Sequence, residues 1–278
     1  MAWVIKRGHD IGSGVELYRS LEPRRSNGRP RVDMRPAGLS LAEVVKRFNI
    51  EPSDELLGAE MDSFEDRFVN VRGVKTRYWQ AGSDGSAVIL LHGIGCSVLD
   101  WQENVRALAS RHRVYALDML GYGLTEKPSE ETYTIPQLAQ FTLDFLNTQE
   151  IQRAHFAGFS LGGSVVLDCG RAAPERVASM VLLAPAGIAR EGMLIHFRLA
   201  SIPFLGEMIM QPSAARLKTF WDLAFLVRSF VTAEFTANRL KYAMLPGAKE
   251  ALLKTLRSGL NWRGTRLAMS MPSVLRSQ

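Results

Sequence analysis

Gly158-Phe159-Ser160-Leu161-Gly162 places a serine between two glycines, one two positions before it and one two positions after. This spacing suits acyl chemistry. A serine that attacks a carbonyl must stand clear of its surroundings on a tight strand-to-helix turn. The flanking backbone then passes so close that only small residues fit. Ser160 is therefore the expected nucleophile. A second segment, Leu91-His92-Gly93-Ile94-Gly95, follows the apolar run Ala87–Leu91. A tetrahedral acyl intermediate carries an oxyanion, which needs two preorganised N–H donors. Leu161, directly after the serine, would supply one and Ile94 the other. Gly93 and Gly95 let the loop backbone approach a substrate, and with Phe159 they make up the expected substrate-binding set.

The elements needed to position these groups are visible in the hydrophobic pattern. Phe68–Val71 and Lys75–Gln80 alternate with period two around Gly73 and read as a β-hairpin. Ala87–Leu91 is continuously apolar, as a strand buried on both faces would be. Trp101–Ser110 reads as a helix, Arg113–Leu117 as a strand and Pro136–Glu150 as a helix opened by its proline. Arg153–Gly158 follows as a strand, Leu161–Ala173 as a helix and Val177–Ala184 as a strand. Strands alternating with helices predict an α/β fold, a mostly parallel sheet with helices on both faces. After Ala186 the alternation stops, and residues 192–270 read as successive helices broken at Pro203, Pro212 and Pro246-Gly247. The expected organisation is a flexible basic extension over 1–36 and a short helix with an acidic connector over 37–66. The α/β core spans 67–189, and a helical cap spans 190–278.

The motifs and their order resemble the α/β-hydrolase superfamily of capped esterases, lipases and C–C hydrolases, from about Phe68 to Ala186. The His-Gly-Ile-Gly loop, Ala-Leu-Asp118-Met-Leu-Gly121-Tyr-Gly123, the Ser160 turn and Pro174-Glu175-Arg176-Val177 occur in the family's order. The resemblance implies a sheet of about eight strands, with a catalytic acid after the next strand and a histidine after the last. The chain supplies six strands and reaches neither segment, so the last strands, the triad acid and the triad histidine are expected to be missing. A serine at the turn separates the chain from the dehalogenase and epoxide hydrolase branches, which place aspartate there.

None of the five histidines is a strong substitute for the missing base. His9 lies in the extension. His92 belongs to the oxyanion loop and reads as structural. His112 begins a strand on the opposite edge from Ser160, and His155 precedes the serine on its own strand and points away from it. His196, in the cap, is the remaining candidate. Asp118 fits a role ordering its own Asp-x-x-Gly-x-Gly turn, and Asp168 lies two helical turns beyond Ser160. Glu191, the first carboxylate after Val177–Ala184, is a poor acid. The aromatic run Phe220, Trp221, Phe225 and Phe230 reads first as cap packing and second as an acyl pocket.

Composition narrows the classes further. The formal net charge of +6 divides unevenly, with 13 basic and 19 acidic residues over 37–189 and 13 basic and 5 acidic over 190–278. The basic ends carry no nucleic-acid module, so no nucleic-acid partner is expected. The basic cap reads as a solvated surface. Cys96 and Cys169 are two isolated cysteines in a chain without a secretory leader, which suits a reducing, cytoplasmic setting. No apolar run reaches the length of a membrane span. Metal-ligand spacing, a Walker motif and a dinucleotide fingerprint are all missing from the sequence, so no cofactor and no metal are expected.

Two functions follow. The first is a serine hydrolase acting on an ester, thioester, lactone or related small-molecule acyl bond, inactive as this truncated chain. The second is a non-catalytic protein of the same fold that binds a small ligand. The sequence leaves the substrate and the oligomeric state open. It also predicts an unpaired sheet edge beside Val177–Ala184, and with it a marginally stable chain prone to association.

Overall fold

The computed structural model describes residues 2–5, 25–26, 29–30, 64–186, 195–224, 231–261 and 264–265. Two compact units emerge, one of Met1–Lys6 with Met61–Gln278 and the other of Arg7–Glu60. Within the second, β2 (Arg25–Ser26) and β3 (Arg29–Pro30) pair antiparallel. The helix and acidic connector expected over 37–66 lie almost wholly outside the described residues.

The first unit is built on a seven-stranded sheet. Its strands are β1 (Ala2–Ile5), β4 (Glu65–Val71), β5 (Val74–Ala81), β6 (Ala87–Leu91), β7 (Arg113–Leu117), β8 (Ala154–Phe159) and β9 (Val177–Leu183), in the spatial order β1-β9-β8-β6-β7-β5-β4. The four central strands β9, β8, β6 and β7 run parallel. The hairpin β4–β5 adds antiparallel at one side. Its connection, Arg72-Gly73, has positive φ at both residues (51° and 89°), the conformation that matches the twist of a two-residue hairpin.

Alternation along β6 explains why helices must cover both faces. Ala87, Ile89 and Leu91 enter one core with Tyr115, Leu117 and Phe156, while Val88 and Leu90 enter the other with Trp79, Val114 and Ala116. Helices α2 (Ile135–Thr148) and α3 (Leu161–Ala172) close the first face, and α1 (Gln102–Ala109) closes the second. Full burial of each large β6 side chain contributes about 1.5–3 kcal/mol at most. Helix α2 starts where Thr134 Oγ1 accepts from the Gln137 N–H, with Pro136 in the first turn. Its stripe of Leu138, Phe141, Phe145 and Leu146 is buried.

Beyond β9 the chain forms α4 (Ile195–Ala200), α5 (Leu205–Ile209), α6 (Ala214–Ala224), α7 (Ala233–Ala243) and α8 (Ala248–Gly259). A short antiparallel pair, β10 (Leu260–Asn261) and β11 (Gly264–Thr265), follows α8 where the sequence predicted more helix. Helix α8 fastens the helical block to the core. Ala251 joins the main core, and Tyr122 Oη donates to Thr255 Oγ1 at 2.7 Å.

The sheet edge beside β9 differs from the sequence expectation. Strand β1 pairs with it antiparallel, in the register Ala2↔Leu183 to Ile5↔Met180. Residues 2–5 are therefore not a structureless extension, and β9 is not an open edge. The physical reason is that a four-residue run carries no periodicity long enough to read. A sheet edge with unpaired N–H and C=O groups offers it a ladder from across the sequence.

Candidate active site

Ser160 occupies the one-residue junction between β8 and α3, at φ 52° and ψ −112°. A non-glycine residue held there costs on the order of 1–3 kcal/mol and persists only where its surroundings over-determine it. They do so here. The Ser160 N–H donates to the Leu183 carbonyl of β9 at 2.8 Å, and the Ser160 carbonyl accepts from Gly163 at 3.1 Å and Ala186 at 3.0 Å. Gly162 supplies the close approach. A Cβ on it would lie 2.2 Å from the Leu91 carbonyl oxygen and 2.6 Å from that of His92. The Gly162 N–H donates to the His92 carbonyl at 3.1 Å, clamping the start of α3 to the loop after β6.

That loop is held by buried polar groups. His92 Nδ1 lies 2.7 Å from the Gly93 carbonyl oxygen, and Nε2 accepts from the Met119 N–H at 3.1 Å. A carbonyl can only accept, so the Nδ1–H tautomer is the one that satisfies both contacts. The buried Asp118 carboxylate accepts from Val98 N at 2.7 Å and Leu124 N at 2.8 Å, tying the ends of two loops together. Burial pushes the Asp118 carboxyl above its ordinary value, a cost that the Arg77 charge and these N–H donors reduce. His92 and Asp118 thus hold the loop in shape, as their motifs suggested.

The two expected oxyanion donors lie on the clamped segments. Among the described residues, neither the Ile94 nor the Leu161 N–H donates to another protein group. An N–H at a helix start and another in a glycine-flanked loop are kinds of donor that an anionic oxygen can use. Gly93 lies under Phe159, whose ring would be 2.9 Å from an added Cβ, and Gly95 faces Leu252 of α8. Phe159 also packs with the Trp79 and Trp101 core. Ile94 packs against the Ala200, Leu253 and Leu256 cluster of the helical block, as do Phe197, Met210 and Leu252, so the surroundings of the loop are apolar.

No imidazole is brought to Ser160 among the described residues. His92 is engaged as above. His155 Nδ1 lies 2.7 Å from Ser179 Oγ and His112 Nδ1 lies 2.9 Å from Ser86 Oγ. His112 precedes β7 at the end of the parallel strands opposite to Ser160, where Arg113 is in register with Ala87 and Ala154. Its ring faces that of His155 at 6.0 Å. His9, Glu191 and the His196 side chain lie outside the described residues. Asp168 pairs with Arg171 at 2.7 Å. Phe220 and Trp221 pack with Phe197 and Phe235, while Phe225 and Phe230 fall outside the described residues. No group of three metal-ligating side chains occurs among the described residues.

Several residues beside the site were not apparent from the sequence. Buried Arg77 of β5 forms a two-pronged pair with Asp66, at 2.8 and 2.7 Å, and donates to Tyr242 Oη of α7 at 3.1 Å. Asp100, just past the loop after β6, pairs with Arg239 of α7 at 2.5 Å, and that guanidinium stacks 3.4 Å from the Phe235 ring centroid. An arginine in the middle of β5 was the available signal for Arg77. Asp100 carried none.

A strained serine between β8 and α3, facing a glycine loop after β6 on a helix-covered parallel sheet, defines a fold class that the comparisons match. Residues 86–244 fit the family model for the alpha/beta hydrolase fold, and the chain belongs to that family. It is 26% identical to the dihydrolipoyllysine-residue acetyltransferase component of the acetoin cleaving system of Cupriavidus necator, over 90% of this chain and 71% of that one. It is 34% identical to the 2-hydroxy-6-oxo-6-(2'-aminophenyl)hexa-2,4-dienoic acid hydrolase of Metapseudomonas resinovorans, over 51% of this chain and 50% of that one. Among solved structures, it resembles a mutant meta-cleavage product hydrolase from Pseudomonas fluorescens IP01 complexed with acetates. That match has a TM-score of 0.59 and 28% identity, and covers 67% of this chain and 66% of the other. No helix among the described residues is long and apolar enough to cross a membrane.

Proposed function

We propose that the chain carries the nucleophile and oxyanion hole of a serine hydrolase for a small-molecule ester, thioester, lactone or related acyl bond. Ser160 Oγ attacks the carbonyl carbon as its proton passes to a base outside the described residues, and the Ile94 and Leu161 N–H groups stabilise the oxyanion. The leaving group departs with that proton, and water then releases the acyl group from Ser160. The observation that carries this reading is the pairing of a strained Ser160 with two N–H donors that have no protein partner among the described residues. Ile94, Phe197, Met210 and Leu252 favour an apolar group beside the reacting carbonyl. Relatives named as hydrolases of hydroxy-oxo-dienoic acids support a carbonyl substrate.

A second reading, a non-catalytic binder of a small apolar ligand, is favoured by the engagement of His92, His112 and His155 away from the serine. A serine without a general base is a weak nucleophile. The two readings separate with a fluorophosphonate probe and intact mass. With a segment carrying the triad acid and histidine supplied, the hydrolase reading expects modification at Ser160 alone, lost in Ser160→Ala, and turnover of a nitrophenyl ester that falls by at least about a hundredfold in that variant. Labelling or turnover unchanged by Ser160→Ala removes the nucleophile assignment. No labelling, with an apolar ligand still bound by Ser160→Ala, leaves the binding reading.

A further inference from the structure

The turn between α4 and α5 holds large apolar side chains out in water. Phe204 is 86% exposed and Met208 68%, with Leu199 (37%) and Ile202 (36%) beside them in sequence. Phe204 also sits at φ 66° and ψ −46°. The Leu205 N–H donates to the Pro203 carbonyl at 2.8 Å, so Phe204 is the central residue of the strained, positive-φ form of a γ-turn. A bulky side chain in this region is an outlier, and an exposed loop could relax it unless packing prevents that. Gly206 provides the packing. Its α-carbon is pressed so close to α4 and α8 that a Cβ would lie 2.2 Å from the Ala200 carbonyl oxygen and 3.0 Å from Leu253 Cδ2. The protrusion is thus seated on Ala200 and Leu253, which form a small apolar cluster with Leu256.

The charges around it are positive. Arg216 donates to the Met208 and Gln211 carbonyls at 3.1 and 3.3 Å, which places an exposed guanidinium beside the protruding Met208. Among the described residues no carboxylate pairs with it. The two acids of this region are already matched, Glu207 with Arg257 at 2.9 Å and Asp222 with Lys218 at 2.7 Å. The stretch 190–278 as a whole carries 13 basic and 5 acidic residues.

We propose that this face docks on an anionic lipid surface, with Phe204 and Met208 entering the headgroup boundary and Arg216 meeting lipid phosphates. An apolar wedge beside cations is what peripheral attachment to an acidic bilayer requires. A second copy of the chain fits less well, because a two-fold contact through this patch would bring like-charged arginines together. The proposal is independent of the chemistry at Ser160.

The test is co-sedimentation of the full chain with vesicles of phosphatidylcholine alone and with about one third phosphatidylglycerol, at low and high salt. Binding should be at least about tenfold stronger to the acidic vesicles and should weaken with salt. The double variant Phe204→Ser, Met208→Ser should lose about tenfold in binding to acidic vesicles, and Arg216→Glu should lose most of the preference for them. A polarity-sensitive dye on Met208→Cys gives a second readout, since Cys96 and Cys169 are both buried. Its emission should shift to the blue only with acidic vesicles, and this readout decides the matter if the serine variant fails to fold. No binding, equal binding to both vesicle types, or binding unchanged in the serine variant overturns the proposal. So does a salt-resistant dimer that the serine variant abolishes while vesicles bind neither form.

Discussion

Gly73 sits in a hairpin turn and Gly162 at the start of α3, and the demands on them differ. Gly73 needs its φ of 89° and has nothing within 4 Å of an added Cβ. Gly73→Ala should therefore cost only the left-handed backbone penalty, about 1–2 kcal/mol. Gly162 has no room at all, because the obstacles are the Leu91 and His92 carbonyl oxygens, which are backbone and cannot swing aside. Gly162→Ala must pull α3 off the loop, at about 3 kcal/mol or more. Urea midpoints should rank the two, and an equal loss would mean that the clamp between the Ser160 turn and the loop after β6 is not rigid. Lys127 offers a pH-dependent test. Its amine donates to the Gly123 and Thr125 carbonyls, each at 2.8 Å, and burial lowers its pKa to about 8 while Asp118 opposes the shift. In the unfolded chain the amine holds its proton to about pH 10.4. The unfolded state therefore binds more protons between these values, and the contribution of Lys127 makes stability rise with pH from about 8 to 10.4. NMR of the dimethylated lysines should show one resonance titrating near pH 8, and a midpoint above 10 at Lys127 would refute the burial argument.

The helical block is joined to the sheet by pairs from distant parts of the sequence. Arg77 and Tyr242 are 165 residues apart, and Asp100 and Arg239 are 139 apart. These separations explain what the sequence could and could not reveal. Strand β6, helix α2 and the Ser160 turn announce themselves through five to fifteen contiguous residues, because pleat, helical period and elbow spacing are local constraints. The pairing of Asp100 with Arg239 depends on how α7 docks on the core, which no local pattern encodes. The helices after β9 were legible as helices for the same reason, and their mutual packing was not. The Asp100–Arg239 pair is nearly buried on both sides, with 13% and 12% of the side chains exposed. Removing one partner leaves a charge without its mate, so Arg239→Met or Asp100→Asn alone should each cost about 3 kcal/mol. The double variant should cost clearly less than the sum, as expected for groups that act as a unit. Thermal unfolding of the four proteins in the cycle measures this, and additive losses would show that the contact carries no coupling.

At the scale of the whole molecule, the stability of the sheet rests on its margins. The side next to β7 is extended by the hairpin β5–β4, and the side next to β9 by β1, whose four residues come from the far end of the sequence. Strand β9 holds the Ser160 turn directly, because the Leu183 carbonyl accepts from the Ser160 N–H. The edge that β1 covers is therefore one strand removed from the candidate nucleophile. Deleting Ala2–Ile5 should return that edge to solvent. Along a strand successive N–H groups point to opposite sides, so in β9 they alternate between β8 and β1. Hydrogen exchange in the deleted chain should then accelerate at alternate amides between Met180 and Leu183, while the amides bonded to β8 keep their protection. An open apolar edge also templates pairing with another chain, so the deleted protein should associate more strongly as concentration rises. Light scattering can follow the association and amide-resolved exchange the protection. Uniform acceleration along β9 would mean that the sheet itself comes apart without β1. Unchanged exchange would mean that the ladder between β1 and β9 contributes nothing in solution, and the sheet edge beside the Ser160 turn would then have to be stabilised by something other than this strand.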